Sequence, residues 1–276
     1  MKKPDTESIH DSIKHLMETD YNYTCEYIKS PSVPGAGKNV YIAGDNNGDE
    51  FVFKLLPYSL AHKNVTVSKL VGNNIVQTPN NRLLGHNGYT FESYPIIPGN
   101  TMYEMIRAGK MTDTQIHATY RQLMAIQYQM SCLPTDRIKT VPNIKCHQIA
   151  AQNTATSNGK LSGTIIRAVV RTLNGAPGGH GLYHFDLTPK NVIINQGHNI
   201  VAIIDMDSVG ICDKNFAIAM MVAKYAQMGY QISELLDYYQ DLSHQSLQRG
   251  RINRMVELTN MGKTLLWRHA NRHKQR

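Results

Sequence analysis

The sequence predicts an α+β chain of two lobes: a small one on an antiparallel sheet over 1–94, and a larger, mainly helical one over 101–276, joined through 95–100. Between Tyr27 and Tyr94 apolar residues come in short extended runs broken by Asn, Gly and Pro, as strands and tight turns require. Beyond Thr101 they recur mostly at helical spacing. Between the two stands Pro95-Ile96-Ile97-Pro98-Gly99, whose prolines and glycine continue neither strand nor helix.

The elements follow in order. Ile9, Ile13, Leu16 and Met17 behind an Asp/Thr cap predict an amphipathic helix from Asp5 to Met17. Tyr27-Ile28 is extended, and a break over Pro31 to Gly37 follows. Val40 to Ala43 and Phe51 to Leu56 then form a hairpin about the Asn/Gly-rich turn Gly44 to Asp49. A short helix covers Leu60 to Val71, and strands fit Asn81 to Leu84 and Tyr89 to Tyr94. In the second lobe, helices are expected at Thr101 to Arg107, Thr112 to Ser131 and Thr164 to Leu173, the last closed by Asn174 to Gly179. Val192-Ile193-Ile194 and Ile200 to Ile204 are short buried strands, and the chain from Phe216 on is helical.

A chain of 276 residues has ample length for a real core. It has no apolar stretch of the ~18 residues that a membrane span needs, and its first residues form no signal core, so a cytoplasmic protein with no membrane partner is expected. Cys25, Cys132, Cys146 and Cys212 form no CxxC pair, which points to buried reduced thiols and away from a zinc knuckle or disulfide framework. Charge is uneven: 9 basic and 10 acidic residues precede Thr101, and 20 basic and 11 acidic follow, so the second lobe carries an excess of +9 and the whole chain a net +8. Arg268, Arg272, Lys274 and Arg276 make a basic tail, but no interleaved aromatics mark a nucleic-acid surface.

The segment that carries chemistry is His184-Phe185-Asp186-Leu187-Thr188-Pro189-Lys190-Asn191, followed through two strand-like runs by Ile204-Asp205-Met206-Asp207. A phosphoryl group in transfer is anionic. It needs a carboxylate beside the acceptor hydroxyl and divalent cations on the phosphate oxygens. The segment resembles the H-x-D-x-x-x-x-N loop and metal aspartate of protein-kinase-like enzymes, in the form found in the aminoglycoside phosphotransferase and choline kinase branch. The resemblance implies Asp186 as catalytic base, His184 as the residue that fixes the loop, Asn191 and Asp205 as Mg²⁺ ligands, and Asp207 as a further ligand or its support.

Upstream, Pro34-Gly35-Ala36-Gly37-Lys38 resembles that family's glycine turn, and Phe51-Val52-Phe53-Lys54 its strand with a phosphate-meeting lysine. The same resemblance puts Glu92-Ser93-Tyr94-Pro95 where backbone groups meet adenine, with the side chains of Glu92 and Tyr94 mattering little. ATP or GTP with Mg²⁺ are the implied cofactors. One feature departs from the pattern. In the family a helix glutamate aims the strand lysine, yet no acidic residue lies between Glu50 and Glu92. Either Lys54 is aimed by another group, such as Asp205 or Asn64, or nucleotide binding is weakened or rearranged.

The implied activity is transfer of a terminal phosphate to a hydroxyl of a small molecule. The basic second lobe favours a sugar-like or anionic acceptor over a polycation. Ser233 to Asp241 offers a local acidic patch, and Tyr238, Tyr239 and Trp267 are candidates for an aromatic cage. The competing readings are a kinase-fold module that binds a partner without catalysis, motivated by the missing helix glutamate, and a protein kinase. Against the latter stands the lack of an Ala-Pro-Glu segment after Asp205.

Overall fold

A computed structural model describes residues 5–31, 39–136, 138 and 180–257. The expected glycine turn with Gly35 and Gly37, the helix Thr164 to Leu173, Cys146, Trp267 and the basic tail lie outside the described residues. The chain divides into two compact units, Met1–Pro98 and Gly99–Arg276.

The first unit opens with helix α1 (Thr6–Leu16), where the Asp5 carboxylate accepts from the Glu7 N–H and Ile9, Ile13 and Leu16 fall on one buried stripe. A π-helical turn, Met17–Tyr21, continues it and ends at Asn22 in the left-handed region. Strands β1 (Tyr27–Lys29), β2 (Val40–Gly44), β3 (Glu50–Leu55), β4 (Arg82–His86) and β5 (Tyr89–Pro95) form one antiparallel sheet in the order β1-β2-β3-β5-β4. The Asp45 carboxylate accepts from the N–H groups of Asn47 and Asp49, which closes the β2–β3 turn.

Helix α2 (Tyr58–Gly72) packs on β5 and β4. Side chains alternate across a strand. Phe51, Phe53 and Phe91 therefore join Ile9, Ile13, Leu16 and Met17 in one core, while Lys54 and Glu92 point to the opposite face. That face carries the polar groups of the candidate site.

In the second unit, β6 (Asn100–Thr101) pairs with β8 (Val192–Ile194), and β8 with β9 (Ile200–Ile203). A separate ribbon joins β7 (His180–His184) to β10 (Val209–Asp213). The second strand of that ribbon is absent from the sequence reading, because Val209-Gly210-Ile211-Cys212 is short and has a glycine inside it. Helices α3 (Met102–Arg107) and α4 (Asp113–Ser131) each begin with a capping box, Thr101/Glu104 and Thr112/Gln115. Helices α5 (Lys214–Gln227) and α6 (Ser233–Ser243) follow, with a further helix over 249–257.

Gly99 sits at φ 136° with room for nothing larger: a Cβ there would lie 2.6 Å from Ile193 Cγ2 and 3.2 Å from the Ile194 carbonyl oxygen. Three expectations need correction. Among the described cysteines only Cys212 is a buried thiol; Cys25 is half-buried, and Cys132 is exposed because it caps the end of α4. Tyr239 is fully buried and packs edge-on against Tyr128, so it lines no cage. Asp237 pairs with Arg249, and Glu234 and Asp241 are exposed, so these acids form the wet face of α6 and not an acidic pocket.

Candidate active site

In the second unit the chain leaves the β7–β10 ribbon at His184 and enters the β6-β8-β9 sheet at Val192. Between them Pro189 opens a one-turn 3₁₀ helix, where its fixed φ is an advantage and its missing N–H costs nothing. The loop is closed by its own backbone: Thr188 N–H donates to the Asp186 carbonyl at 2.8 Å and Asn191 N–H to the Thr188 carbonyl at 2.9 Å. Two further bonds tie it to neighbouring segments, Phe185 N–H to the Ser208 carbonyl at 3.0 Å and Ile204 N–H to the Asn191 carbonyl at 2.9 Å.

His184 is fully buried. Its Nδ1 accepts from the Asp186 N–H at 3.2 Å, which puts the ring proton on Nε2, 3.3 Å from the Ile204 carbonyl. One ring thus holds the residue two after it and the residue before Asp205. Gln127, from α4, clasps the backbone of His184 on both sides, accepting from its N–H at 3.0 Å and donating to its carbonyl at 2.7 Å. Gln127 belongs to no motif. Its signal is an amide placed on the apolar face of α4, among Leu123, Met124 and Met130.

Asn191 is buried, and its Nδ2 donates to the Asp186 carbonyl at 2.8 Å and the Asp186 carboxylate at 3.3 Å. This leaves the amide oxygen as the group that can meet a cation. Asp205 adopts φ 65°, ψ 64°, a left-handed conformation that a residue with a Cβ enters at a cost of about 1–3 kcal/mol and that clusters at functional sites. Burial lifts the Asp186 carboxyl above the ordinary carboxylate range, and the Asp205 charge pushes the same way. His184, Lys224 and the Asn191 amide oppose the shift without cancelling it; since Nδ1 of His184 accepts a hydrogen bond, we take that ring as neutral and Lys224 as the opposing cation.

Asp186 and Asn191 are therefore brought together, with Asp205 close enough for its charge to act on Asp186 and Asp207 two residues further on in the 3₁₀ turn Met206–Ser208. No group of three or more His, Cys, Asp or Glu gathers into a metal cluster among the described residues. Mg²⁺ keeps waters and substrate oxygens and takes one or two protein carboxylates. An amide oxygen beside an aspartate, with a second carboxylate close enough to raise its neighbour's proton affinity, fits such an ion.

In the first unit Lys54 is buried on an internal strand, so it is no edge lysine pointing to water. Its Nζ lies 3.9 Å from Glu92 Oε2. Glu92 is 1% exposed, and its carboxylate accepts from Asn64 Nδ2 at 2.7 Å and Asn81 Nδ2 at 2.5 Å. The sequence reading gave Glu92 a backbone role. In the structure β5 is flanked at Glu92 by both β3 and β4, and the side chain is the part that meets Lys54. Tyr94 is buried opposite Val52, beyond the last residue paired with β4.

A small antiparallel sheet with its packed helices, followed by a mainly helical unit carrying this loop, defines a protein-kinase-like fold. Solved phosphotransferases share it. The GDP and kanamycin complex of APH(2")-IIia superposes with a TM-score of 0.63 at 16% identity, over 97% of this chain and 94% of that one. Macrolide 2'-phosphotransferase MphH from Brachybacterium faecium gives 0.55 at 13% identity, over 96% and 95%. Aminoglycoside phosphotransferase APH(3'')-Id from Streptomyces rimosus, in complex with ADP and streptomycin, gives 0.60 at 11% identity, over 90% and 97%. No protein-family model and no curated protein matches the sequence.

Proposed function

We propose that the protein is a phosphotransferase that moves the terminal phosphoryl group of ATP or GTP to a hydroxyl of a small molecule. The observation that carries this reading is the convergence of Asp186, Asn191 and Asp205, locked through the single ring of His184. Solved proteins of the same fold bound to GDP with kanamycin and to ADP with streptomycin support it.

Asp186 takes the proton of the acceptor hydroxyl as that oxygen attacks the terminal phosphorus. A carboxyl with a raised proton affinity is the better base for this task. Asn191 holds Asp186 in place through Nδ2 and would offer Oδ1 to a bound metal, to which Asp205 would add a carboxylate oxygen. Bound Mg²⁺ would offset the negative charge of the phosphates. Lys54, in the first unit, meets the nucleotide phosphates. The acceptor is a sugar-like or anionic alcohol, since the second unit carries the positive charge and α6 builds no acidic pocket.

The test is a screen of small alcohols with ATP and GTP, read by Mg²⁺-dependent release of the diphosphate. Transfer is expected with at least one alcohol, and is lost in Asp186→Asn and in Asp205→Asn. Turnover that persists in either variant overturns the assignment.

A further inference from the structure

We propose that Glu92, on strand β5, is the positioning residue that aims Lys54 at the nucleotide phosphates, with Asn64 and Asn81 fixing its carboxylate. This rests on the phosphotransferase reading and assigns a role to a side chain which that reading leaves without one.

The register pairs Lys54 directly with Glu92 across β3 and β5, which puts both side chains on one face of the sheet. Only 11% of the lysine side chain and 2% of the glutamate side chain are exposed. A carboxylate accepts and never donates, so each asparagine must turn its NH₂ to Glu92; the two oxygens are then held from α2 and from the approach to β4. A glutamate gripped at both ends cannot swing. Its 3.9 Å separation from Nζ gives attraction without a hydrogen bond, which steers the ammonium rather than capturing it.

The buried polar positions of α2 are Lys63, Asn64 and Ser68, none of them acidic. Asn64 thus supports from the helix a carboxylate that stands on the sheet. A buried ion pair contributes little net stability compared with apolar packing, so stability alone is a weak account of a lysine and a glutamate enclosed on this sheet face. Orientation of the ammonium is the account that uses every one of these contacts.

The experiment titrates mant-ATP and mant-GTP into the full chain and its variants. Glu92→Gln is expected to raise the nucleotide Kd about tenfold, Lys54→Met by a similar factor, and the two together no more than Lys54→Met alone, because both remove one interaction. The swap Glu92→Gln with Asn64→Asp returns a carboxylate to the same contact from the helix side, and is expected to bind within about threefold of the parent. A Glu92→Gln chain that binds like the parent, or a double variant whose loss is the product of the singles, overturns the proposal. Should Glu92→Gln alone fail to fold, the swap carries the test: a folded swap that has lost binding overturns it. Without nucleotide, Glu92→Gln should speed acylation of Lys54 by a small activated ester several-fold, since removing a carboxylate favours the neutral amine; unchanged reactivity defeats the pair itself. A parent chain that binds neither nucleotide while Lys54 still responds to Glu92 defeats the phosphotransferase reading instead, so the two failures are distinguishable.

Discussion

The two polar sites of this molecule are built in opposite ways. The loop from His184 to Asn191 brings its groups together within eight residues and closes them with its own backbone, needing from elsewhere mainly Gln127 and the end of β9. The Lys54 and Glu92 face draws on β3, α2, β5 and the approach to β4, and its partners lie far apart in sequence. A local site writes its chemistry as a motif. A site assembled across a sheet leaves no spacing to read, and can move a carboxylate from helix to strand while keeping the same contact. That contrast also weakens the reading of the chain as a non-catalytic module, whose motive was a lysine without an acid.

The contrast can be broken most sharply at the loop. Asp186→Asn and Asp205→Asn are each expected to lower the rate of transfer by about a thousandfold or more, measured by single-turnover kinetics. Residual rates near the parent's would mean that the local motif is ornament. Gln127→Leu keeps the volume but removes the amide that bonds the buried N–H and carbonyl of His184. A loss of about 2–4 kcal/mol in urea unfolding is expected, with transfer reduced and nucleotide Kd nearly unchanged.

Gly99→Ala places a methyl against Ile193 and the Ile194 carbonyl at a φ that disfavours it. The expected cost is about 1–3 kcal/mol in the same measurement, and a parent-like stability would contradict the close approach.

A subtler effect concerns pH. The Asp186 pKa is raised by burial, so its ionised form is disfavoured in the folded state. The resulting destabilisation is absent below the ordinary carboxyl range, sets in as pH rises through it, and is complete above the raised value. Asp186→Asn is therefore expected to melt higher than the parent at pH 7, with the gain shrinking as pH falls toward 3, while activity is lost. An unchanged melting temperature at pH 7 would deny the strain. For the same reason the acidic limb of kcat/KM, which reports the free enzyme, should lie above the range of an ordinary aspartate. The smallest change is expected at the surface of α6, where Arg249→Ala breaks an exposed pair with Asp237 and should alter stability by no more than about 0.5 kcal/mol.

Much of the architecture was legible because its signals are local. The stripe Ile9, Ile13, Leu16, the alternation of Phe51 and Phe53 and the turn residues between β2 and β3 each state an element within a few residues. The strand Val209–Asp213 was not legible: five residues with a glycine have no pattern of their own, and pairing with β7 makes them a strand. Tyr239 and Tyr238 look alike in sequence, yet helix geometry buries the first and sets Arg121 over the second.

The sequence by itself determined the loop, its order of His, Asp, Pro and Asn, and the aspartate that follows two strands later, because those residues are held by spacing and short-range hydrogen bonds. Only the tertiary structure decided that Glu92 faces Lys54, that two asparagines pin it, and that Gln127 braces His184. Those contacts join segments whose separation carries no information until the sheet register and the seating of a helix are fixed, and burial then makes each unsatisfied partner too costly to leave alone.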